Sequence, residues 1–88
     1  MMTEEILEKM CEEKSKPRFD IIPADEKRMG HLLIEGDCVA IRNMGILLIA
    51  LAEESDGEDF GFSLAPDGAG SACISKNSNY GLYINIKE

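Results

Sequence analysis

CVAIRNMGILLIALAEE, residues 38–54, is the stretch whose reading decides the fold. As a helix it would be capped by Asp37, with Ile41, Met44, Leu48 and Leu51 sharing a face, and its Leu and Ala content favours that state. Against the helix stands Gly45 in its middle, at a cost of about 1 kcal/mol relative to Ala. Glu53 and Glu54 would also sit at the negative end of the helix dipole. A strand buried on both faces explains the unbroken ILLIALA run at least as well. Two strands, 38–42 and 46–53 with a turn at 43–45, are therefore favoured over one helix.

Turn chemistry on both sides agrees with strands. Gly36 followed by Asp37 suits a type II′ hairpin joining His31–Glu35 to 38–42, and Asp56 followed by Gly57 is the preferred pair for a type I′ turn. Beyond it Phe60, Phe62 and Leu64 alternate with Gly61 and Ser63, as on a strand with one buried face. Upstream, Arg18–Ile22 reads as a strand closed by Pro23, and 24–29 as a polar connection or one short helical turn. Downstream, 65–70 is a Pro/Gly loop, Ala72 and Ile74 mark a short strand, and 77–79 turns the chain. Leu82, Ile84 and Ile86 then alternate with Tyr83, Asn85 and Lys87, the cleanest strand signal present.

The N-terminal segment differs. In residues 3–15, Ile6, Leu7, Met10 and Cys11 form one apolar stripe at helical spacing, Thr3 can cap, and Glu4 and Glu5 suit the positive end of the dipole. Lys14 and Lys16 close the pattern before Pro17 stops it. The expected fold is α+β. One N-terminal helix packs on a mostly antiparallel, meander-like sheet of five to seven short strands, or on a partial barrel, with 18–88 β-rich.

The chain of 88 residues is expected to form a single domain. Its 44% hydrophobic and 30% charged residues are those of a folded protein. A formal charge of −8 disfavours direct binding of nucleic acid or of an anionic membrane. The N-terminus is acidic and amphipathic, unlike a signal peptide, and the uncharged run 43–52 is too short to span a bilayer. Three cysteines without a CxxC pair fit free thiols in a reducing compartment, so a cytoplasmic location is expected.

The charges are unevenly placed. No basic residue occurs between Arg42 and Lys76, where Glu53, Glu54, Asp56, Glu58, Asp59 and Asp67 all lie. Such a segment favours basic partners. Its bland reading is a solvated, repelling hairpin tip; its carboxylate spacing does not match an EF-hand, so no metal is assigned. Tyr80 and Tyr83 would supply aromatic anchors if they shared that side.

Catalytic signatures are missing. Cys11, His31, Cys38 and Cys73 match no ligand spacing. A Cys38–His31 dyad across the expected hairpin would lack a third orienting group and an electropositive setting. The PDGAGSA loop, 66–72, lacks the lysine of a phosphate-binding loop. The reading is a non-enzyme without cofactor. It is an acidic protein-binding module, in its sharper form an inhibitor or immunity-type protein occupying the nucleic-acid site of a nuclease or similar enzyme. The alternative is a structural or regulatory subunit, in its simplest form a homodimer, joined through the face of ILLIALA or of the N-terminal helix, and a small enzyme or metal-binding domain ranks below both.

Overall fold

The computed structural model describes residues 2–87. Along the chain run α1 (Thr3–Glu12), β1 (Arg18–Ile22), β2 (His31–Glu35), α2 (Cys38–Ser55), β3 (Phe60–Leu64), a single 3-10 turn (Ser71–Cys73) and β4 (Leu82–Ile86). The class is α+β, but the strands number four among the described residues and form two separate antiparallel pairs, β1–β2 and β3–β4. The expected five to seven strands, and with them a meander or partial barrel, are not found.

The difference lies in α2, an 18-residue helix where two strands were expected. Asp37 caps it, its carboxylate accepting from the Ala40 N–H at 2.9 Å. Its buried positions are Ala40, Asn43, Met44, Leu47, Ala50, Leu51 and Ser55, each three or four from another and so on one helical face. The period is hidden in the sequence because outward positions, Ile41, Leu48 and Ile49, are apolar too. The buried face is also rotated from the expected one. Leu47 is fully buried while Leu48 is 46% exposed. Gly45 does not break the helix, since it faces open space and sacrifices no packing.

Both expected hairpin turns serve α2 instead. Gly36 lets the chain pass close to Ala40, where a Cβ would approach the alanine methyl to 2.7 Å. Asp56 is left-handed at φ 47° and ends the helix, with Gly57 following at φ 79°. Positive φ at both residues is what the Asp-Gly pair promised, but here it closes a helix. The Glu58 N–H returns to the Ser55 carbonyl at 2.9 Å.

Elsewhere the expected strands form. Phe60, Phe62 and Leu64 pair with Ile86, Ile84 and Leu82, and these six turn one face to the core. Tyr83 and Asn85 face outward, as expected. β1 pairs with β2 in register Phe19 to Ile34, across an eight-residue connection, 23–30, held by an Asp25–Arg28 bridge. The other edge of β1 is covered by the 75–79 segment: Ser75 N–H donates to Pro17 O at 2.8 Å and Asn79 N–H to Phe19 O at 3.2 Å. Ala72 therefore sits inside the 3-10 turn and Ile74 follows it in extended conformation, so the short strand expected there does not form. The core gathers Ile6 and Met10 of α1, Phe19 of β1, Met44, Leu47 and Leu51 of α2, Leu64 of β3, and Cys73 with Ile74.

Candidate functional site

A contact between two helices joins the first part of the acidic stretch, Glu53 to Asp59, to the start of α1. The Thr3 N–H, at the start of α1, donates to the Glu54 carboxylate at 2.7 Å. Thr3 itself is not the cap; Met2 holds that position without a side-chain bond. Glu54 caps α1 from the last turn of α2, where the α1 dipole favours negative charge. The Thr3 N–H bond holds the Glu54 carboxyl below the ordinary carboxylate range.

This contact adds Glu4 and Glu5, in the first turn of α1, to Glu53, Glu54, Asp56, Glu58 and Asp59. Three segments thus supply one acidic end. Tyr83 belongs to it as well: its hydroxyl lies over Gly61, two residues past Asp59, where any Cβ would collide with it. Tyr83 is 68% exposed.

Asp67 and Tyr80 lie elsewhere. Asp67 sits in the loop beyond β3, separated from Asp59 by the length of that strand, about 15 Å. Tyr80 lies against the β1–β2 hairpin, lining a mostly apolar hollow of about 150 Å³ with Phe19, Ile21, Leu32, Ile34 and Leu82. The two tyrosines therefore serve different surfaces. On the hairpin, Leu32 is 85% exposed and β2 has no second strand beside it among the described residues.

A second charged region lies at the other end of α2. Ser15 hydrogen-bonds the Asp37 carboxylate, which with the Ala40 N–H keeps that acid ionised to lower pH than usual. Flanking Ser15, Lys14 and Lys16 join Lys76 around an open hollow of about 320 Å³ that also takes in Ser71 and Ser75. The glycine loop beside it cannot cradle an anion with all its amides. Gly68, Ser71 and Cys73 N–H groups already donate to Ala65, Gly68 and Gly70 carbonyls. Lysines distant in sequence were not visible as neighbours of that loop.

The remaining candidates do not assemble. His31 opens β2 and Cys38 opens α2, so about 13 Å of strand lies between them and no dyad forms. Among the described residues no three His, Cys, Asp or Glu side chains are grouped to hold a metal ion. No described helix is long and apolar enough to cross a membrane. Comparison with protein-family models, curated proteins and solved structures finds no match to this chain.

Proposed function

We propose that this chain is a non-catalytic binding protein whose acidic end docks on a basic protein surface. The observation that carries the reading is the Thr3–Glu54 contact, which adds two carboxylates of α1 to those of α2 and the following turn. Carboxylates from the start of α1, the end of α2 and the turn after it then form one array, wider than the single acidic hairpin read from sequence. Tyr83, exposed beside them, supplies an aromatic anchor of the kind that concentrates binding energy. In its sharper form the partner is a nuclease or other nucleic-acid-binding enzyme, and the carboxylates stand where phosphates would. Association with such a surface is fast and salt-sensitive. A pull-down at low and high salt tests this: the specific partner elutes as salt rises, and a partner retained equally at both contradicts it.

A second reading is favoured by the outer face of α2. Ile41, Leu48 and Ile49 are exposed there around the open Gly45, with Arg42 at the edge of the patch. Such a patch fits assembly with a second copy, as apolar faces of this kind mark interaction sites. Sedimentation at high salt separates the readings. Concentration-dependent association that persists supports assembly through α2; a monomer at every concentration leaves the acidic end as the interacting surface.

A further inference from the structure

The fold brings together two cysteines that lie 62 positions apart. The Cys11 and Cys73 sulfurs are 2.7 Å from each other, Cys11 on the last turn of α1 and Cys73 at the end of the 3-10 turn. Only about 0.7 Å of approach separates this spacing from a disulfide bond. The juxtaposition is built rather than incidental. The Lys16 ammonium donates to the Cys11 carbonyl at 3.0 Å and also to the Ala72 carbonyl, so one cation clamps the two backbones that carry the thiols.

The two thiols are unlike. Cys11 is exposed and Cys73 is buried. Burial pushes the Cys73 thiol up to about 12, so it stays protonated at neutral pH. Its proton has two acceptors in reach, the Cys11 sulfur and, at 3.5 Å, the Leu7 carbonyl. Exposure thus makes Cys11 the group that meets an outside reagent, and contact makes Cys73 the group that acts second. Cys38, at the start of α2, is paired with neither.

We propose that Cys11 and Cys73 form a redox pair that reacts with small-molecule disulfides and closes to an intramolecular disulfide stapling α1 to the 3-10 turn. In the first step the Cys11 thiolate attacks one sulfur of a low-molecular-weight disulfide such as oxidised glutathione. The reagent's S–S bond breaks, one thiolate leaves, and Cys11 carries the mixed disulfide. In the second step Cys73 gives its proton to solvent and its thiolate attacks the Cys11 sulfur, expelling the reagent's second half as a thiolate that takes up a proton from solvent. One protein disulfide forms while one external disulfide is reduced to two thiols, so electrons and protons balance. Lys14, Lys16 and Lys76 supply positive charge at the hollow beside the 3-10 turn, while Glu8 and Glu12 flank Cys11 on α1. The pair was hidden in sequence because its spacing resembles no motif, and only packing of α1 against the 3-10 turn brings it together. The staple is independent of the acidic end and of what that end binds.

The test uses the full chain as Cys38→Ser, which removes the exposed thiol outside the pair. Folded protein is incubated with oxidised glutathione and followed by intact mass, peptide mapping and thermal melting. The expected product has lost two hydrogens, carries no glutathione, and yields a Cys11–Cys73 cross-linked peptide. Its Tm rises by roughly 10 °C or more, because the closed loop is long, and dithiothreitol reverses the change. Adding Cys73→Ser should trap glutathione on Cys11. A lasting glutathione adduct on Cys11 with Cys73 still free, or thiols that react only after unfolding, overturns the proposal. The mass and mapping result on Cys38→Ser decides even if the double variant does not fold.

Discussion

Glu54 completes the first turn of α1 from the last turn of α2, its carboxylate 2.7 Å from the Thr3 N–H. The bond does two things with one charge. It satisfies a helix-end donor that Met2 cannot reach with a side chain, and it draws the acidic ends of two helices together.

The first prediction concerns acid. The Glu54 carboxyl is lowered by the Thr3 N–H, Asp37 by the Ser15 hydroxyl and the Ala40 N–H, and Asp20 first by the Ile21 N–H. A folded-state pKa below the unfolded one contributes stability that is fully present above the ordinary carboxylate range, about pH 4–4.5, and is lost as pH falls through the lowered value. Tm should therefore hold near neutrality and fall below about pH 4. Glu54→Gln should melt lower than the parent near neutral pH and converge with it in acid. Parallel Tm curves for the two proteins would remove the cap from the account.

The second prediction tests the phase of α2. Leu47→Ala should cost about 2–5 kcal/mol, the range for a fully buried leucine. Leu48→Ala, at a half-exposed position, should cost under about 1 kcal/mol. Denaturant melts of the two variants measure the contrast. Equal, large losses would fit a segment buried on both sides and contradict the helix.

How far the sequence could be read follows from this segment. Leu82, Ile84 and Ile86 were legible because Tyr83 and Asn85 interrupt them, and strict alternation has one meaning. In 46–52 every residue is apolar, so burial and exposure leave no contrast, and period alone could not choose between helix and strand. Asp56 and Gly57 gave the right dihedral angles but not the element they close. The acidic stretch was legible as charge. That Glu4 and Glu5 belong with it, and Tyr80 and Asp67 do not, depends on long-range packing, which leaves no local mark. The same holds for Cys11 with Cys73 and for Lys14 and Lys16 with Lys76.

The third prediction separates two glycines that sequence treats alike. Gly45 sits mid-helix with nothing within 4 Å of an added Cβ, so Gly45→Ala should stabilise by about 0.5–1 kcal/mol. Gly57, at φ 79°, lies in the left-handed region, and Gly57→Ala should destabilise by about 1–2 kcal/mol. Chemical denaturation of both variants gives the two signs. A destabilising Gly45→Ala would mean that something covers that face, as the second functional reading requires of an assembled protein.

The central claim is that the acidic end is the recognition surface, and paired charge reversal tests it most directly. Glu53→Lys with Glu58→Lys alters two exposed carboxylates of that end; Glu12→Lys with Glu26→Lys makes the same change in net charge elsewhere. Glu4 and Glu5 cannot serve as the control, since Thr3 ties them to Glu54. Each double variant is first shown to melt like the parent, because exposed substitutions usually shift stability by no more than about 0.5 kcal/mol. Affinity for the salt-eluted partner is then measured at physiological ionic strength. The account predicts that the first pair weakens binding at least about tenfold while the second leaves it within about twofold. Equal binding by both double variants, or equal loss in both, would contradict it.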